Sequence, residues 1–215
     1  MKILLDGWSI TAVGGWNAQI FSSQWLQKNV CDDSECEVQV AVPLNNPSAQ
    51  TRLSFEGVHL FVNPSRLDLK PQNYDLDSFK KCAKFLKKIL SILNHTPVAS
   101  FGVNLTFVSD GDHSEIQDSF VFPDISRFDA DVNKLQRTSI NRAFEQQDSS
   151  ILNLSVTLEA EKAVVSFNYH RDVDDAGMCA EKLVDDMIEK YHKNSSDILS
   201  KVYNVQVNED HVTEV

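Results

Sequence analysis

The sequence predicts an α+β fold, in which a mainly antiparallel sheet carries helices packed on one face. The first observation behind this prediction is a hairpin followed by a helix, a pattern that occurs twice, at residues 52–93 and 151–191. The second is apolar alternation from Leu152 to Leu158 and from Val165 to Tyr169, which is typical of two strands with one buried face. The third is helical spacing of apolar residues from Ala176 to Tyr191. Because that helix needs an apolar surface, we expect it to pack on the hairpin.

Apolar runs separated by turn residues predict strands and hairpins in the first part of the chain. Asp6-Gly7 stands between two such runs, which predicts a hairpin with a type I′ turn. Helical spacing predicts a helix from Trp16 to about Lys28, and alternation predicts a strand at Val38–Val42. A second hairpin is predicted around Glu56-Gly57, and a polar connection over residues 63–74 is expected to follow it.

A long amphipathic helix is the best-defined element in the middle of the chain. Asp77 or Ser78 is expected to cap it, and its apolar face continues to Leu93. Alternation over residues 101–107 then predicts a strand that closes at a turn.

The region between that strand and the second hairpin is less regular. Residues 113–122 are expected to form a short strand. Residues 123–144 suit either a helix or a strand, and the pattern slightly favours a polar edge strand at 135–144. The last helix is expected to break or to be capped anew at residues 194–196.

The order of elements suggests how the chain is organised. We expect residues 1–215 to form a single compact region of two abutting halves, 1–122 and 123–203, with a flexible acidic tail at 204–215. Two ββα-type units, one per half, suggest a duplication, and an Asn-x-x-Arg step occurs in both, at residues 63–66 and 168–171.

Several features follow one another in an order that is known from other proteins. They are a strand ending at Asn63, a polar step to Tyr74, an amphipathic helix at residues 79–93, a strand with an internal Gly102, and the hairpin, acidic link and His-containing helix of residues 152–192. This order resembles a sporadically distributed family of uncharacterised bacterial proteins. Val103 and Asn104 stand where that family would have an arginine and a tyrosine. The resemblance implies no activity.

Composition and charge narrow the classes of function. No apolar run approaches the roughly 20 residues that span a bilayer, so we expect a cytoplasmic protein without membrane contact. The formal net charge of −11 disfavours nucleic-acid binding. Four scattered cysteines, Cys31, Cys36, Cys82 and Cys179, predict reduced core thiols, and because Cys31 and Cys36 lack further ligands nearby, no metal or cofactor is expected.

Fragments of catalytic motifs occur in the sequence, but none of them is complete. His170-Arg171-Asp172 lacks the other parts of a kinase, and Asp129–Asn133 lacks the glycine and glutamate of a calcium loop. No nucleophile elbow or glycine-rich phosphate loop is present, so an enzyme is not favoured. Two alternatives stay open: a metal-dependent hydrolase or nuclease subunit with dispersed acidic residues, first of all Asp110, Asp112 and Glu115, and a single-stranded nucleic-acid binding module.

Two groups of residues are candidates for contact with a partner. Trp8, Trp16 and Trp25 form either a corner of the core or an aromatic contact surface. The other group, which we call the lysine face, comprises Lys80, Lys81, Lys84, Lys87 and Lys88 on one predicted helix. These lysines are either solvated, matched to the acidic helix through Asp185 and Glu189, or directed at an acidic partner.

The function predicted from these observations is that of a non-enzymatic protein-interaction subunit or adaptor of a bacterial or phage cytosolic system, with a defence or counter-defence role among its alternatives. We expect it to bind a protein partner or to self-associate.

Overall fold

A computed structural model gives the fold and describes residues 1–33, 35–42, 51–73, 75–110, 114–120, 122, 127–128, 134–159, 161–208 and 211–212. Over these residues the chain forms one mainly antiparallel sheet, and its long helices pack on a single face of it. The predicted α+β class and antiparallel sheet are confirmed.

The elements have the following bounds. The strands are β1 (Lys2–Leu4), β2 (Ser9–Gly14), β3 (Gln39–Ala41), β4 (Arg52–Phe55), β5 (Val58–Asn63), β6 (Arg66–Pro71), β7 (Val98–Asp110), β8 (Arg137–Glu145), β9 (Ile151–Glu159), β10 (Lys162–Asp172) and β11 (His211–Val212). The helices are α1 (Ser23–Asn29), α2 (Leu76–Ile92), α3 (Ser114–Asp118), α4 (Ala176–Lys182) and α5 (Met187–Val202). The strands lie in the order β3-β4-β5-β6-β2-β7-β10-β9-β8, and β1 pairs with β7 and β11.

The sheet has one dry face and one polar face because apolar residues alternate along its strands. On β7, Phe101, Val103, Leu105 and Phe107 point to the dry face and are at most 1% exposed. The helices cover this face: α2 brings Phe79 against Trp8 with ring centroids 5.1 Å apart. The core is therefore a single layer between the sheet and the helices.

The predicted hairpin at Asp6-Gly7 is wrong. β1 and β2 both pair antiparallel with β7, so the chain keeps its direction through a 3₁₀ turn at Leu5–Gly7. A Cβ on Gly7 would lie 2.4 Å from Cβ of Thr106 on β7. The glycine is therefore needed for a close approach to the neighbouring strand, not for a reversal of the chain.

Three other local predictions are wrong and one is confirmed. Residues 66–71 form β6 instead of a polar connection, and residues 114–118 form α3 instead of a strand. The last helical region is divided earlier than predicted, between α4 and α5, and α5 runs without a break through residues 194–196. The edge strand favoured for residues 135–144 is present as β8.

The two Asn-x-x-Arg steps occupy different places in the sheet. Asn63 ends β5, and the turn that follows leads to Arg66 at the start of β6. Asn168, in contrast, lies within β10 and pairs with Asn104 of β7. The proposed duplication therefore gains no support from these steps and stays a prediction.

The described part of the predicted tail lies along the first strand. The N–H of Asn208 donates to the carbonyl of Met1 at 2.8 Å, and β11 pairs parallel with β1. Val205 and Val207 are half-buried against the core. No helix among the described residues is long and apolar enough to cross a membrane.

A polar cluster fixes α5 to the β9–β10 hairpin. The ring of Tyr169 stacks on that of Tyr191 with centroids 4.0 Å apart, and its hydroxyl lies 2.9 Å from Oγ of Ser195. The hydroxyl of Tyr191 and the guanidinium of Arg171 both donate to Asp148, at 2.9 Å and 2.5 Å. Asp148 thus joins the loop before β9 to both β10 and α5.

Asp148 should make stability depend on pH in the acid range. Burial alone would raise its pKa, but hydrogen bonds from Ser150 and Tyr191 and the charge of Arg171 outweigh burial and hold the pKa below its ordinary value. The folded state therefore releases this proton more readily than the unfolded state does. The stabilisation is full above the unfolded pKa of about 3.9 and is lost as the pH falls through the lower folded pKa.

We expect Asp148→Asn to lower the free energy of unfolding at pH 7 by roughly 1 kcal/mol, since a half-exposed charged acceptor is lost. The variant should also lose less stability than the parent between neutral pH and pH 3. Urea unfolding at several pH values measures both effects, with the exposed Asp174→Asn as control. An unchanged pH profile in Asp148→Asn would contradict the assignment.

Candidate functional site

The lysine face lies on α2, whose N-terminus is capped by Asp75. One carboxylate oxygen of Asp75 accepts the backbone N–H of Ser78 at 2.6 Å, so the cap lies earlier than the predicted Asp77 or Ser78. The inner side of α2 buries Phe79, Cys82, Phe85, Leu86, Ile89 and Leu90. The lysines consequently project from the opposite, half-exposed side.

Most members of the lysine face are engaged within the chain. The contacts are Lys80 with Glu189 and Asp77, Lys84 with Asp32 at 2.5 Å, Lys87 with Asp185 at 3.8 Å, and Lys88 with the carbonyls of Val30 and Cys31 at 2.8 and 3.0 Å. Lys81 is exposed, and no ion pair to it occurs within the described residues. Electrostatic matching between the lysine face and the acidic residues near α5 is therefore present, while a role in capturing a partner stays a prediction.

Lys88 should contribute more to stability than its neighbours on the helix. Its ammonium donates to the carbonyls of Val30 and Cys31, directly after α1. Without the Lys88 side chain, both carbonyls would lose a charged hydrogen-bond donor. We expect Lys88→Ala to lower the free energy of unfolding by roughly 1 to 2 kcal/mol and Lys81→Ala to leave it nearly unchanged. Chemical denaturation of the two variants measures this difference. Equal losses would show that the carbonyl contacts do not stabilise the fold.

The three tryptophans do not share one environment. Trp8 and Trp16 are only 1% and 4% exposed, and the indole N–H of Trp16 donates to the carbonyl of Ala12 at 3.1 Å. Trp25 is half-buried, with its ring 5.4 Å from that of Phe21. Trp8 and Trp16 are thus core residues in this structure, and Trp25 alone of the three offers part of its surface.

Trp16→Ala should therefore be costly. Removing a large buried ring leaves a cavity, and we expect a loss of about 3 to 5 kcal/mol in the free energy of unfolding. Trp25→Ala is the matched control and should cost clearly less, because part of that ring is already in water. Denaturant unfolding followed by circular dichroism compares them, and a Trp16→Ala protein as stable as the parent would refute the core assignment.

The acidic residues of the hydrolase alternative lie beyond what the structure describes. The side chains of Asp110 and Glu115 and the whole of Asp112 are outside the described parts of the chain. The described residues therefore give no distances or contacts for a hydrolase site built on these three residues.

The polar face of the sheet carries a chain of amide hydrogen bonds. Asn153 donates to Asn168 at 2.9 Å, Asn168 donates to Asn104 at 2.8 Å, and Asn104 donates to Ser9 at 3.0 Å. A shallow depression of about 480 Å³ lies over this region and extends to Asn141 on β8. Because the amides satisfy one another across four strands, they fix the register of the sheet at its centre.

The outer edge of β8 is the most extended unpaired edge in the described part of the chain. β8 is nine residues long and pairs with β9 alone among the described strands. Its residues are exposed or half-buried throughout, and 43% of the Phe144 side chain is exposed. An exposed strand edge presents a row of backbone donors and acceptors that can pair with another chain. β8 is therefore the candidate interface.

Two of the three charged residues of β8 lie at its ends. Arg137 and Glu145 are the first and last residues, and both point to the polar face, since they pair with Glu159 and Ile151 of β9. Arg142 points to the other face, where its guanidinium lies 5.4 Å from the ring centroid of Phe120. β8 is thus net basic in a chain whose formal charge is −11.

One group of side chains has the chemistry of a metal site. The ligand atoms of Cys31, Cys36 and Glu56 all lie within 4.8 Å of one another, the one such group found among the described residues. The sequence pattern pointed to the two cysteines but not to Glu56, because the carboxylate comes from a hairpin turn distant in sequence.

Comparison with protein-family models and with curated proteins identifies no relative of the chain. No protein-family model matches the chain, and no curated protein matches it. The resemblance to the family of uncharacterised bacterial proteins therefore stays an expectation, and any function has to be argued from the chain's own residues.

Proposed function

We propose that the chain is a non-enzymatic protein-interaction subunit that associates with a second copy of itself through the outer edge of β8. The observation that carries the proposal is the placement of Arg137 and Glu145 at opposite ends of this exposed strand, on the same face. The resemblance to bacterial proteins is the support for placing it in a bacterial or phage system.

The geometry of antiparallel pairing limits how two copies of β8 meet. Residues that stand directly opposite each other point to the same face of a sheet. A two-fold axis perpendicular to the sheet therefore pairs polar-face residues only with polar-face residues. When the axis passes through Asn141, Arg137 of each copy stands opposite Glu145 of the other.

This register is favoured over its neighbours by charge. Moving the axis to Arg142 would place two arginines opposite each other, and moving it to Ile140 would leave Glu145 opposite Leu135. In the register centred on Asn141, Arg137 instead lies between Glu159 of its own β9 and the second copy's Glu145. On the opposite face of the sheet, Phe144, which is 43% exposed, then stands opposite Thr138 of the second copy.

The proposal predicts a charge-swap pattern. Arg137→Glu and Glu145→Arg should each raise the dissociation constant of the dimer about ten-fold, because two attractive cross-strand pairs per dimer become repulsive and each is worth about 0.2 to 1 kcal/mol. The double variant Arg137→Glu/Glu145→Arg restores opposite charges across the interface and should dimerise clearly more tightly than either single variant. It should not regain the full affinity of the parent, because the carboxylate at position 137 then stands opposite Glu159 of its own β9. Sedimentation equilibrium over a range of protein concentrations measures all three constants.

A control separates this local effect from net charge. Arg52→Glu, at the exposed first residue of β4, changes the net charge by as much as Arg137→Glu and should leave dimerisation unchanged. A parent protein that is monomeric at every concentration refutes self-association. A double variant no better than the single variants refutes the register centred on Asn141.

A further inference from the structure

Cys31, Cys36 and Glu56 meet where the loop after α1 touches the β4–β5 hairpin. Both cysteines are 7% exposed, and their sulfur atoms are 2.8 Å apart. Oε1 of Glu56 accepts the backbone N–H groups of Asp32 and Asp33, at 2.8 and 3.1 Å. The carboxylate is therefore fixed by the same loop that carries the two thiols.

The backbone at Glu56 is unusual. Glu56 and Gly57 have φ values of +44° and +82°, so both central residues of the hairpin turn are left-handed. Such turns favour asparagine or aspartate followed by glycine, and a glutamate at the first position is uncommon. Backbone strain of this kind often marks a functional position, and here it accompanies a carboxylate directed at two thiols.

We propose that Cys31, Cys36 and Glu56 bind a zinc ion, with a water molecule as the fourth ligand. Thiolates select soft or borderline metals such as Zn²⁺, and two sulfurs, one carboxylate oxygen and one water complete a tetrahedron. Tetrahedral zinc at about 2.3 Å from each sulfur holds the sulfurs roughly 3.8 Å apart. The two cysteine side chains therefore rotate apart by about 1 Å as the ion enters. Both thiols release a proton to solvent in this step.

The surroundings suit the charge of such a site. Two thiolates, one carboxylate and Zn²⁺ sum to a single negative charge. The ammonium of Lys88 lies 3.0 Å from the carbonyl of Cys31 and supplies a compensating positive charge. Lys84 and Lys88 also hold Asp32, at 2.5 and 3.7 Å, so that carboxylate is paired beside the site and does not compete with Glu56 for the ion.

The bound ion would act as a clamp. Two residues separate Cys36 from the start of β3, and Glu56 lies in the turn between β4 and β5. Zinc binding therefore ties the loop after α1 to the β3 end of the sheet, far along the strand order from the β8 interface. The inference is independent of the proposed function.

Cobalt titration of the reduced protein tests the site. Co²⁺ bound by thiolates in tetrahedral geometry gives sulfur-to-metal charge-transfer absorption, which Zn²⁺ then abolishes by displacement. We expect Cys31→Ser and Cys36→Ser to remove the charge-transfer band. Glu56→Gln should raise the dissociation constant at least ten-fold, because a neutral amide replaces a charged ligand. Zn²⁺ should also raise the Tm of the parent but not of Cys31→Ser.

Two matched controls and a competing outcome complete the design. Glu35→Gln alters an exposed carboxylate of the same loop, and Cys179→Ala removes a buried thiol on α4; both should bind Co²⁺ as the parent does. No charge-transfer band in the reduced parent, or a band that persists in Cys31→Ser, overturns the proposal. The competing outcome is a redox-active pair of cysteines. The zinc proposal is overturned if oxidised glutathione readily consumes two thiols while Glu56→Gln has no effect on metal binding.

Discussion

The two-sided pairing of β7 is the constraint on which the rest of the structure depends. β7 is hydrogen-bonded to β10 along one edge and to β2 and β1 along the other, and its residues Phe101, Val103, Leu105 and Phe107 point to the helices. The dry face exists because this alternation is continued in β2 and β10, which places α2 and α5 on the same side. Within the described residues, the polar face and the outer edges of β3 and β8 are then left for contact with water or other molecules.

Electrostatics organises the helical side of the molecule. The chain carries a large negative charge, yet the lysine face concentrates positive charge on one helix. Its contacts with Asp32, Asp185 and Glu189 join α2 to the loop after α1 and to the segment around the start of α5. Each such exposed pair contributes little to the free energy of unfolding. We expect their main effect to be on the position and orientation of the helices on the sheet.

Elements with a strong local period could be predicted from the sequence, and contacts between distant segments could not. The alternation in β9 and β10 and the amphipathic face of α2 are local patterns, and both predictions are confirmed. Asp6-Gly7 has the composition of a hairpin turn, but pairing with β7 overrides that local preference. Glu56 could not be joined to the cysteines from the sequence, because only the fold brings that turn to their loop.

Because β1 pairs with β11, its two partners along the sequence are synthesised at different times, and β11 comes last. The ammonium of Met1 donates to the carbonyl of Gln206 at 2.5 Å, a contact across 205 positions of sequence. A ribosome adds only about 5 to 20 residues per second, so the partner of β1 emerges roughly ten seconds or more after β1 itself. Until then the outer edge of β1 is an open strand edge on a nascent chain. Chaperones or neighbouring nascent chains have that interval in which to occupy it.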